Sequence, residues 1–121
     1  YFATTLPDVS GTWNCKQEYY KTPTSTNPSF KNYSITLNED GTASCSEYEN
    51  SISGSWSFNT NGVLRIDIMR SATTTYNSGI TWEGQVNDIK TPTMFTGYVH
   101  GWTYNQYGYH SGDGNKFTLT K

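Results

Sequence analysis

The chain has 121 residues and a mass of 13.6 kDa, enough for one hydrophobic core and too little for a second. Thr, Ser, Asn and Gly supply 54 residues, while Leu and Ala together supply only 7, which excludes a helical bundle and favours strands and turns. A net charge of −2, 15% charged residues and 16% aromatics exclude a basic nucleic-acid-binding surface and a disordered chain, and no apolar run approaches a membrane span.

Residues 1–10 carry Pro7 and no alternation, so they are expected to form an N-terminal arm before a single domain at 11–121. The first strand is expected over residues 12–20 and the second over 32–38. Glu39-Asp40-Gly41 is a hairpin signal, leading to a third strand over 42–48. A fourth strand follows over 52–59, and Thr60-Asn61-Gly62 turns the chain into a fifth over 63–70. Strands over 79–87, 93–102 and 116–121 complete the series.

Alternation gives each strand one dry and one wet face. Leu64, Ile66 and Ile68 oppose Arg65, Asp67 and Met69. Ile52, Gly54, Trp56 and Phe58 oppose three serines, and Ile80, Trp82, Gly84 and Val86 oppose Thr81, Glu83 and Gln85. Single-faced strands joined in order close on themselves or pack as two sheets. The expected fold is all-β: an eight-stranded antiparallel up-and-down (meander) β-barrel. The long connections, 21–31, 71–78 and 103–115, fall at one end, with 49–51 the short exception there. Elaborated loops on a rigid scaffold are a usual place for binding.

Cys15 and Cys45 are too few for a disulfide scaffold and lack metal-ligand spacing. One bridge between them is the expectation; two separate buried thiols are the alternative. A bridge would close a loop of about 30 residues and add roughly 3 kcal/mol in the chain-entropy picture. The start at Tyr1 rather than Met reads as a processed or trimmed chain. With a disulfide, it points to a secreted, periplasmic or cell-surface product.

Trp13 is expected to plug the narrow end of the barrel. Trp56 and Trp82 lie on inward faces, where each could serve as core or as pocket wall. If Trp13 points inward, so do Cys15, Gln17 and Tyr19; if Cys45 does, so does Glu47. Gln17, Tyr19 and Glu47 would then need water, each other or a ligand as partners, unless the third strand is shifted by one. The segment 102–114, with Trp102, Tyr104, Tyr107 and His110, has the Tyr, Trp, Asn and Gly content of paratopes and sugar-binding faces. The plain alternative is a long hairpin packing its own aromatics. No catalytic motif is present, although Glu47 with Tyr19 or Tyr48 could form a general acid/base pair. No metal site or cofactor is indicated; His100, His110 and Asp113 are near one another only in sequence.

Gly11-Thr12-Trp13 at the start of the first strand, followed by a meander with Gly-bearing turns, resembles the calycin group of lipocalin-like and avidin-like barrels. The stretch from Ile35 to Thr42 and the stretch Gly54-Ser55-Trp56-Ser57-Phe58 look like small bacterial lipocalin-like domains. Thr81-Trp82-Glu83-Gly84-Gln85 is similar to the avidin strand whose Trp walls the biotin pocket. Gly112-Asp113 before Phe117-Thr118 resembles the end of the avidin barrel, where an Asp reaches the ligand. Cys15 stands where avidins carry an Asn for the ureido oxygen, so the resemblance implies ligand or protein binding rather than biotin binding or catalysis.

Three functions are compatible with these residues. The leading expectation is a small-ligand-binding barrel with its pocket at the long-loop end. Gln17, Tyr19, Glu47, Trp56 and Trp82 would lie inside, and Trp102, Tyr104, Tyr107 and His110 on the rim. The ligand would be a hydrophobic or aromatic small molecule, or a glycan; a homo-oligomer is compatible with this. The second is a protein- or carbohydrate-binding module, of inhibitor or adhesion type, using 102–114. The third is a barrel enzyme using Glu47.

Overall fold

In a computed structural model, residues 6–19, 29–48, 51–73, 75–112 and 114–121 are described, without the side chains of Tyr19 and Ser29. The strands are β1 (Gly11–Tyr19), β2 (Ser29–Leu37), β3 (Ala43–Cys45), β4 (Ser53–Phe58), β5 (Val63–Ala72), β6 (Tyr76–Val86), β7 (Met94–Asn105), β8 (Gly108–Ser111) and β9 (Asn115–Thr120). They form one antiparallel sheet in the order β3-β2-β1-β9-β7-β6-β5-β4, with β8 on the upper part of β7. The expected eight strands are therefore present in meander order. The ninth, β8, comes from the segment expected to be a loop.

The sheet curls into a nearly closed barrel because its two ends meet. Thr42 bridges Ser55, and the Trp56 N–H donates to Gly41 O at 3.0 Å. The Trp56 indole N–H adds a bond to Asn38 O at 2.8 Å. Gly54 permits the approach, since a Cβ there would stand 2.0 Å from Ala43 O. The expected turns at Gly41 and Gly62 join β2 to β3 and β4 to β5.

Inward parity fills the interior with Trp13, Ile35, Leu37, Leu64, Ile66, Ile68, Trp82, Phe95, Val99, Phe117 and Leu119. Trp13 is buried in the core near the start of β1. It packs edge-on against Phe95 at 5.2 Å, and its indole N–H donates to Val9 O at 2.9 Å. Phe58 meets Phe95 from β4 at 5.6 Å. Ile52, expected on the dry face, precedes β4 and is 57% exposed. Its parity is right, but the strand and the packed interior begin after it.

The expected disulfide is absent: Cys15 and Cys45 are both free and buried. Cys15 lies on β1 opposite Tyr33 of β2, and Cys45 lies on β3 opposite Ile35 of β2. An intervening strand separates them, and two strand spacings amount to roughly 9–10 Å. A bridge needs Cα atoms about 4.4–6.8 Å apart. The shared inward face brings both thiols into the core without bringing them together.

Candidate functional site

At the open end, β3 stops sooner than the expected strand over 42–48. Ser46–Tyr48 instead form one turn of 3-10 helix. A longer β3 would send the Glu47 carboxylate inward after Cys45, at the cost of burying a charge. The turn rotates Glu47 outward into an ion pair with Lys31 of β2. The next residue, Tyr48, lands on the core edge-to-face with Trp82, the ring centres 6.1 Å apart.

Below Tyr48, Trp82 is fully buried, so it is core rather than an open pocket wall. Its indole N–H donates to the Tyr33 hydroxyl at 3.1 Å, and that hydroxyl donates to Gln17 Oε1 at the mouth. Burial pushes the Cys15 thiol up to about 12 and the Cys45 thiol up to about 11, so both are protonated near neutrality. Burial raises the Tyr33 and Tyr48 hydroxyls as well, although Arg70 offsets part of the effect at Tyr48.

Three depressions follow the rim. The first, about 310 Å³, lies between Gln17, Lys31, Tyr33, Glu47 and Tyr48. The second, about 440 Å³, lies across Tyr48 and is lined by Glu47, Tyr48, Arg70, Tyr76 and three serines, Ser51, Ser71 and Ser78. Arg70 extends the inward series Leu64, Ile66, Ile68 above the packed core, where its guanidinium stands 5.2 Å from the Tyr48 ring centre. The third, about 460 Å³, lies between Tyr76, Asn77, Tyr104, Asn105, Gln106 and Tyr107.

The hairpin of β7 and β8 divides the predicted loop residues between two faces. Trp102, Tyr104 and Tyr109 share the outer face, while His110 pairs with Thr103 on the other. Trp102 is therefore on the barrel exterior rather than over the mouth, which corrects its expected rim position. Its indole N–H donates to Thr81 Oγ1 at 3.1 Å, and Tyr109 stacks on it at 6.3 Å and 26°. Thr81 donates to Asp67, which also holds Arg65. Tyr104 and Tyr107 project into solvent, 53% and 81% exposed.

The structure thus brings Gln17 and Glu47 together at the mouth, and Tyr104 and Tyr107 together at the hairpin tip. Trp56 is half-buried on the barrel seam, and Trp82 supports the mouth from beneath. The Tyr19 side chain, Asp113 and most of the 21–31 connection lie outside the described residues. Tyr33, Arg70 and Tyr76 are rim residues that the sequence reading did not select, and Tyr48 was considered there only as an acid/base partner of Glu47. Arg70 was signalled by parity with Ile68, whereas Tyr76 required knowing that β6 starts three residues early. Among the described residues, no group of His, Cys, Asp and Glu side chains is gathered for a metal, and no helix is long and apolar enough to cross a membrane.

The family model for GH43_C, a C-terminal lipocalin-like domain, matches residues 3–104. The match spans β1 to the outer part of β7 and ends before the hairpin turn. No curated protein and no solved structure gives a significant match. By fold, and by a family match over most of its length, the chain belongs to the GH43_C family of C-terminal lipocalin-like domains.

Proposed function

We propose that this domain is a carbohydrate-binding accessory module of a glycoside hydrolase, using the hairpin end of the rim as its contact surface. The observation that carries the reading is the third depression at the strand ends, where Tyr104 with Asn77 on the outer face and Tyr76 with Asn105 on the inner face meet Gln106 and the exposed Tyr107 of the turn. Rigid aromatic faces supply contact area at small entropic cost, and the amides can both donate and accept hydrogen bonds with sugar hydroxyls. The family label supports association with a glycoside hydrolase. For a structural polysaccharide of cell walls or matrices, this reading carries with it a secreted or cell-surface location.

The test is affinity electrophoresis of the whole chain against a panel of neutral and acidic plant and microbial polysaccharides. A retarded wild type, with Tyr107→Ala and Tyr104→Ala each weakened about tenfold (~1.4 kcal/mol) and unchanged in circular dichroism, supports the reading. Variants that migrate like wild type in every gel would rule out the hairpin as the contact surface.

A second reading places a small ligand in the first depression, where Gln17 and the Tyr33 hydroxyl meet the Lys31–Glu47 pair. The packed interior limits such a ligand to the mouth. Retention of a small molecule in native mass spectrometry, lost in Gln17→Leu, is its test.

A further inference from the structure

The three depressions are not separate. Tyr48 and Glu47 form the wall common to the first and second, and Tyr76 the wall common to the second and third. A chain-like ligand lying along the rim would cross Tyr48 and Tyr76 in turn. The middle position differs chemically from the outer one: it holds a guanidinium and serine hydroxyls where the outer one holds amides and tyrosines.

Arg70 projects its guanidinium over the Tyr48 ring, and neither ion pair found among the described residues uses it. Glu47 borders the same space, but Lys31 pairs with its carboxylate. With Lys31, Glu47 and Arg70 taken together, the described charges at this part of the rim sum to one positive. Guanidinium donors match the two oxygens of a carboxylate, and Ser51, Ser71 and Ser78 offer hydroxyls to a polyhydroxylated ring. We infer that the rim binds an oligosaccharide with a uronic acid residue at Arg70, the chain continuing over Tyr76 to the hairpin. This rests on the carbohydrate-binding reading and names the class of glycan.

The test is isothermal titration of the whole chain with trigalacturonate, the neutral galactose trimer of the same linkage, and sodium galacturonate. The expected result is binding of trigalacturonate about tenfold tighter than the neutral trimer at low salt, equivalent to ~1.4 kcal/mol. Arg70→Gln removes that preference. Arg65→Gln makes the same change in net charge away from the rim, on an arginine already held by Asp67, and leaves the preference intact. Arg70→Lys retains part of it, showing that the site has not simply unfolded.

Tight binding of galacturonate alone would assign Arg70 to a free sugar acid and overturn the chain-spanning part. Equal binding of both trimers, failure of trigalacturonate to bind, or the same loss in Arg65→Gln and Arg70→Gln overturns the inference. Retention on neutral polysaccharide gels would still uphold the hairpin reading in those cases, so the two can fail separately.

Discussion

The Trp82 indole N–H donates to the Tyr33 hydroxyl at 3.1 Å, and through it the barrel core is joined to Gln17 at the mouth. Trp82 is sealed from solvent, so if Tyr33 loses its oxygen the indole N–H has no water to turn to and only the weak sulfur acceptor of Cys15 nearby. Tyr33→Phe should cost about 1–3 kcal/mol in urea unfolding, the penalty of a buried donor left with at most a weak sulfur acceptor. A Trp82→Phe background should shrink the Tyr33→Phe penalty in a double-mutant cycle, because the orphaned donor is then gone. Equal penalties in both backgrounds would show that the bond contributes nothing specific.

The buried thiols make stability fall in alkali. Burial raises Cys15 from 9.0 to about 12 and Cys45 from 9.0 to about 11. Between those values the folded chain retains protons that the unfolded chain has released, so unfolding is favoured as pH rises. Their stabilising contribution is complete below about pH 9 and is lost towards pH 11–12, at up to about 1.4 kcal/mol per pH unit for each thiol. Urea midpoints should decline from about pH 8 to about pH 10.5, and less steeply in Cys15→Ala. The native thiols should resist a thiol-reactive dye at neutral pH and react after unfolding. Rapid native labelling would contradict their burial.

Much of the barrel was readable from the sequence because each strand has a single dry face. Leu64, Ile66 and Ile68 could not be placed in any other way without exposing three aliphatics, and Gly41 and Gly62 marked the turns. Parity fixes only the face, however. It put Cys15 and Cys45 on the same side while leaving a strand between them. Nor does it reveal where a strand stops, and burial of Glu47 was avoided by ending β3 at Cys45. The mouth depends on that stop, so Tyr48 and its partnership with Arg70 could not be found from spacing alone.

Gly79 holds the exterior tryptophan in place. A Cβ at Gly79 would stand 2.5 Å from the Trp102 ring and 2.6 Å from Ile68 O, and the backbone oxygen cannot move without disturbing β5. Gly79→Ala should therefore destabilise by about 1–3 kcal/mol and lift Trp102 from its bond to Thr81. The stack with Tyr109 should loosen with it, giving a changed near-UV circular dichroism band and a shifted tryptophan emission. An unchanged spectrum and midpoint would place Trp102 elsewhere.

Glu47→Gln separates the structural from the electrostatic role of the rim. The Lys31–Glu47 pair is solvent-accessible, with the two side chains 52% and 30% exposed, so its loss should cost less than about 1 kcal/mol in urea. Removing the negative charge should have a larger effect on acidic ligands, since the carboxylate's repulsion beside Arg70 disappears. Affinity for trigalacturonate should rise by about threefold at low salt, some 0.6 kcal/mol, and return toward wild type at high salt as screening takes over. Affinity for the neutral trimer should stay constant. If Glu47→Gln instead abolished binding of both trimers while the fold held, the carboxylate itself would be a ligand contact, accepting sugar hydroxyls, and the positive rim would not govern recognition.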